Sequence, residues 1–256
     1  MMRALSDTWQ VVMRDIRVRI RMPVFIFMSL FQPILWLVLF TQIFKSLGGS
    51  IAGADVSYLQ FFAPGVIVMT VLFGSAFSGM GMLMDIDSGV LAKMLATPVN
   101  RLSIMTGRVI ATVIVGIVQA LIVFIVAAIM GVHVKTGFPG MLLILLLAAL
   151  LGMGFAAFSN GLALLLKRQE TVMAVVNLFT MPLMFLSSMM MPSQFLPHWL
   201  DVARHYNPVD YAIVGVRGLV LTGYVWSDLW KSLVVLGAFA IVLVAFGTLM
   251  FRTRAE

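Results

Sequence analysis

Long stretches free of Asp, Glu, Lys and Arg constrain this chain more than any other feature. Residues 24–44, 56–84, 109–132, 136–166, 171–200 and 232–251 form six such runs, the fifth span ending within its run near Met191 or Pro192. A bilayer-spanning helix needs roughly 20 predominantly apolar residues, and each run can supply them. A span must satisfy its backbone polar groups internally, so only helices and closed barrels cross a membrane. Barrel strands would alternate polar and apolar residues, and these runs do not. The composition agrees. Hydrophobic residues make up 62% and charged residues 11%, against about 45–50% and about 25% in soluble domains. A soluble globular fold and a disordered chain are both excluded. The expected fold is an all-α integral membrane protein with six transmembrane helices.

With the N-terminus inside, twelve Lys and Arg fall on inner segments and five on outer ones. That asymmetry predicts an N-in, C-in topology. It also explains the net charge of +7 with no nucleic-acid partner. Residues 211–226 are apolar and nearly long enough for a seventh span, but Arg217 sits at their centre. An arginine in mid-bilayer is costly, and a seventh span would carry Arg252 and Arg254 outside. The stretch is expected to be re-entrant or interfacial, within an outer segment 192–231. No inner segment approaches the roughly 50 residues of an independent domain, so residues 1–256 read as one transmembrane domain. The N-terminus is too polar for a cleavable signal peptide. There is no cysteine, which excludes disulfides and thiolate ligands. His133, His198 and His205 fall in outer segments without partners at metal spacing, so no metal site is expected.

Two inner features stand out. In residues 1–22, Leu5, Trp9, Val12, Ile16 and Ile20 share one stripe at helical spacing, with Arg3, Arg14, Arg17 and Arg21 opposite. Such a helix lies in the membrane interface, with Trp9 toward acyl chains and the arginines toward lipid phosphates or a cytosolic partner. Arg19 falls near the apolar stripe, where it either snorkels or meets a partner protein. The second feature is the loop 85–108, which contains Asp85, Asp87, Gly89, Ala92, Lys93, Leu95, Thr97, Pro98 and Arg101. Thr97 precedes Pro98, so a short helix from about Ser88 to Leu95 is expected to end there. A stub joined tightly to two spans can transmit force; an ordinary short loop is the plain alternative.

Gly74, Ser75, Ser78 and Gly79 give span two a small-residue face. Such a face suits packing within one subunit or a seam between two. Pro33 and Pro182 are expected to bend spans one and five, as hinges or as fixed kinks. No charged residue lies near a span centre, which argues against ion-coupled transport. No histidine lies within a span and no G-x-S-x-G occurs, which disfavours an intramembrane protease. A non-transporting scaffold stays open.

Four segments, in order, resemble the ABC-2 type exporter permeases. LAKMLATPVNRLSIMTGRVI matches their inner loop and QPILWLVLF their opening span. FFAPGVIVMTVLF matches their second span. LPHWLDVARHYNPVDYAIVGVRGLVL, with Asn207-Pro208 and Arg217, matches their last outer segment. Within that family the chain looks closest to daunorubicin-type drug exporters and nodulation-type lipo-oligosaccharide exporters. The resemblance implies a bacterial or archaeal inner-membrane permease that pairs with a second permease copy or a sister permease. It also implies two copies of a separate ATP-binding subunit that hold ATP and Mg. Residues 92–101 would be the coupling helix docking on that subunit, with the N-terminal helix a second contact. Many members carry Glu where this chain has Ala92, which leaves Asp85 or Asp87 to substitute. The chain has no Gly-Lys pair and hence no Walker A lysine to hold phosphates. The resemblance also turns spans two and five toward the cargo. That makes Ser75, Ser78, Asn177, Phe179, Met181, Met184 and Phe185 candidate pathway residues for hydrophobic or amphipathic cargo. Glycan export by the same architecture is the alternative.

Overall fold

The computed structural model describes residues 2–44, 56–97, 99–189 and 196–254. Lys45, Pro98, Met191 and Pro192 lie outside the described residues, as do the side chains of Arg3 and Arg254. Eleven α-helices follow one another among the described residues. They are α1 (Met2–Ile20), α2 (Pro23–Ile43), α3 (Tyr58–Ala76), α4 (Gly79–Asp87), α5 (Val90–Leu95) and α6 (Arg101–Ile129). Then come α7 (Gly137–Leu166), α8 (Gln169–Phe185), α9 (His198–Arg204), α10 (Pro208–Arg217) and α11 (Trp226–Arg254). The protein is an all-α integral membrane protein. Five segments are long and apolar enough to cross a bilayer: α2, α3 with α4, α6, α7 and α11. The 17 residues of α8 rise about 25 Å, close to the hydrocarbon thickness of about 30 Å.

The core is built around α3, which is buried along most of its length and packs on α2, α6, α7, α8 and α10. Phe62, Val66, Ile67, Leu72, Leu147 and Leu151 are fully sealed within it. The helices α2 and α11 instead expose large apolar side chains such as Phe27, Phe31, Val234, Ile241 and Val242. That is how a membrane bundle is expected to look, because lipid accepts an apolar exterior that water would not.

Two boundaries differ from the sequence reading, and a third stretch follows it. Residues 56–84, taken as one span, are broken at Phe77–Ser78. There Ser78 N donates to Ser75 O and Gly79 N donates out of the ladder to Ser159 Oγ, at 3.0 Å. The third span begins at Arg101, not at 109, because Asn100 caps it: its Oδ1 accepts from Leu102 N at 3.0 Å. The stretch 211–226 forms no span. After α10 comes one wide turn closed by Gly223 N donating to Gly218 O, and Gly223, at φ 108°, then reverses the chain. Only a residue without Cβ adopts that backbone cheaply.

The two ends of the bundle are distinct. Gly247 of α11 packs against Met105 and Ala157, near the start of α6 and the end of α7. The last turns of α11 therefore lie at the same end as α1, α4 and α5. The opposite end carries α9, α10 and the α6–α7 connection, where Lys135 N donates to Val220 O.

Candidate coupling and transport surfaces

The stub expected below the second span is present as α5. Gly89, at φ 68°, turns the chain between α4 and α5, a conformation that a Cβ would disfavour. Leu91 is buried and anchors the stub, with Leu95 half-buried beside it. Ala92, Lys93 and Thr97 face outward, as do Asp87 before them and Arg101 after them. Thr97 Oγ1 donates to Met94 O at 2.6 Å and closes the last turn.

Asp85 does not share that exposed surface. It is buried, and its carboxylate receives both arms of Arg14, at 2.8 and 2.5 Å, together with the guanidinium of Arg108. Asp15 completes the cluster, accepting from Arg14 Nη1 at 3.1 Å and lying 4.0 Å from Arg108 Nε. Three elements thus meet: α1 through Arg14 and Asp15, α4 through Asp85, and α6 through Arg108. The carboxylate sits in the last turn of α4, where the helix dipole disfavours it. Two guanidinium groups override that. Arg108 is only 4% exposed, and a charge so deeply buried costs several kcal/mol unless paired.

The sequence reading had Arg108 as a loop charge and passed over Asp15. The signal was the Asn100 cap, which extends α6 far enough to turn Arg108 inward. Arg14 and Asp85, read as contacts for a partner, point at each other.

Three faces of α1 account for its composition. Leu5, Trp9 and Ile20 are exposed, with Trp9 at 58%. Arg17 and Arg21 are exposed on a second face. Val11, Val12 and Asp15 are buried on a third, against α6. Gly107 permits that contact, since a Cβ there would stand 2.8 Å from the Val11 side chain and 3.0 Å from Thr8 O. Val12 thus leaves the apolar stripe for the protein. Arg19 donates to Thr112 Oγ1 at 2.8 Å. Burial lowers its pKa from the ordinary arginine value, and Asp15 pulls it back up. Its partner is another helix of the same chain.

The pathway candidates divide. Ser75 and Ser78, expected on a cargo-facing surface, are buried against α7. Asn160 Nδ2 donates to Ser78 Oγ at 3.1 Å, and Gly152 leaves room for Ser75. Small side chains let α3 and α7 approach closely, so this face packs within the subunit. On α8, Phe179, Met181 and Phe185 are exposed, Asn177 is half-buried and Met184 is buried.

At the opposite end, α8 is closed by α10. Asn207 Nδ2 donates to Leu183 O and Leu186 O, at 2.6 and 2.9 Å, while its Oδ1 caps α10 by accepting from Val209 N. Asp210 Oδ1 accepts from Ser188 N at 2.7 Å. Arg217 donates to Phe61 O, Ser188 O and Met189 O, and its guanidinium lies 3.8 Å from the centre of the Phe61 ring. Orphan helix-end carbonyls are thereby satisfied away from water. A hydrogen bond from Arg204 holds the Asp201 carboxyl below its usual pKa.

Comparison with known proteins agrees with this architecture. The family model of the ABC-2 type transporter matches residues 6–221. A ycf38 transport permease of Cyanophora paradoxa is 31% identical over 200 residues, covering 78% of this chain and 69% of its own length. The daunorubicin resistance ABC transporter permease protein DrrB1 of Streptomyces coeruleorubidus is 24% identical, covering 74% and 66%. The doxorubicin resistance permease DrrC of Mycobacterium tuberculosis is 26% identical, covering 79% and 72%. A helical membrane bundle with a short stub at its basic end, matched along most of its length, is a transmembrane permease, and the chain belongs to the ABC-2 type transporter family.

Proposed function

We propose that this permease exports hydrophobic or amphipathic cargo, such as a drug, a lipid or a lipid-linked metabolite, driven by a separate ATP-binding subunit. Two permease copies and two ATP-binding subunits form the working unit, and ATP and Mg bind to the latter. The end bearing α1 and α5 faces the cytoplasm of a bacterial or archaeal cell. The carrying observation is the pairing of α5, held rigidly with Ala92, Lys93 and Thr97 outward, with an exposed apolar face on α8. The first offers a docking ridge. The second offers Phe179, Met181 and Phe185 to cargo, and methionine adapts to varied apolar shapes. Relatives named for daunorubicin and doxorubicin resistance support this cargo class.

The test uses inside-out vesicles with daunorubicin as the fluorescent probe. Uptake should require both ATP and a co-purifying ATPase subunit. Leu95→Asp should abolish uptake while leaving membrane insertion and ATP hydrolysis in place, since it disturbs only the seat of α5. Uptake without any nucleotide-hydrolysing companion would overturn the proposal.

A further inference from the structure

We infer that Asp85 is a positioning residue that makes α1, the α4–α5 arm and the start of α6 one rigid body, which pivots at the Phe77–Ser78 break. This rests on the export reading above and adds how the stub's motion enters the bundle.

Two observations carry it. The first is the grip. The Asp85 carboxylate is held by Arg14 from α1 and Arg108 from α6, and Asp15 faces both arginines. A bidentate guanidinium–carboxylate pair fixes orientation as well as distance. Paired charges screened from water also separate reluctantly. A push on α5 therefore reaches α1 without slack.

The second is the pivot. At Phe77–Ser78 the ladder of α-helical bonds is interrupted, and three successive contacts shorten to the i−3 type: Ser78 to Ser75, Met80 to Phe77 and Gly81 to Ser78. The displaced Gly79 N–H is satisfied by Ser159 Oγ of α7. Next to it, Ser75 Oγ and Asn160 Oδ1 are buried without a partner. A break with one donor diverted to a neighbouring side chain and two spare acceptors can change its bonding without exposing an unpaired amide. Above the break, α3 is locked into the core. Below it, α4 is gripped at its far end by Asp85. An arm jointed at one end and clamped at the other is a lever, and α1 with the start of α6 is what it carries.

Since the chain has no cysteine, spin labels can be placed by Arg17→Cys with Lys93→Cys, one on α1 and one on α5. Double electron–electron resonance on the full-length permease in lipid nanodiscs should give one narrow distance distribution. Adding Arg14→Gln, which leaves Asp85 paired with Arg108, should broaden it at least twofold. An equally narrow distribution in that variant overturns the inference.

A second arm uses the complex with its ATPase subunit. Arg14→Cys with Asp85→Cys should lose at least half of ATP-driven daunorubicin uptake. Bridging the two thiols with a short, reducible bis-methanethiosulfonate linker should restore it. Arrest on bridging would mean that α1 and α4 part during turnover, and overturns the inference. Should no ATPase subunit bind, the export reading fails while the nanodisc distances still decide the clamp at Asp85.

Discussion

Arg217 shows how a single charged residue can be at home in an apolar setting. Its guanidinium donates to the carbonyls of Phe61, Ser188 and Met189 and rests on the Phe61 ring. The Ser188 and Met189 carbonyls belong to the chain just after α8, and Phe61 lies in the first turn of α3. Lysine would keep the charge but lose the planar fork that spans α3 and the chain after α8. Arg217→Lys should cost about 1–3 kcal/mol, read as an earlier unfolding midpoint in detergent. An unchanged midpoint would show that the carbonyl contacts carry no stability. Asn207 works beside it with both ends of one amide, capping α10 with its oxygen and closing α8 with its nitrogen.

At the scale of elements, the interface helix α1 divides its circumference among lipid, water and protein. The protein face depends on Gly107, whose missing Cβ admits Val11 and the Thr8 carbonyl. Gly107→Leu should lift α1 from α6 and strip the Asp15 and Arg14 contacts with it. Hydrogen exchange is the measure: amides of residues 8–19 should lose protection by at least tenfold, while those of α7 stay protected. Equal protection throughout would refute the role of this contact. The Arg19 anomaly has the same origin, because one position lying between the lipid and protein faces meets Thr112.

For the whole molecule, α1 and the last turns of α11 share one end, and α9 and α10 close the other. Trp199, Tyr206, Tyr224, Trp226 and Trp230 are exposed at that second end, and Trp and Tyr are the residue types that favour a membrane–water interface. Single cysteines introduced as Ser88→Cys and Asn100→Cys should react with a membrane-impermeant maleimide only from the cytoplasmic side. His205→Cys should react only from outside. All three parent residues are exposed, so slow labelling would not arise from burial. Labelling of His205→Cys from the cytoplasm would invert the topology.

The local pattern was enough to read the class of fold, the position of most spans, the α5 stub before Pro98, and that 211–226 forms no span. Those depend on run length and on the cost of an isolated charge in lipid, and both are properties of neighbouring residues. Which face of each helix meets which neighbour was not legible. Helical spacing puts every residue on some face, but only packing between distant segments decides what that face touches. Hence Ser75 and Ser78 turn toward α7, and Asp85 finds Arg14, 71 positions away in the chain. The break at Phe77–Ser78 belongs with these, since the Ser159 hydroxyl that receives the diverted amide lies on another helix.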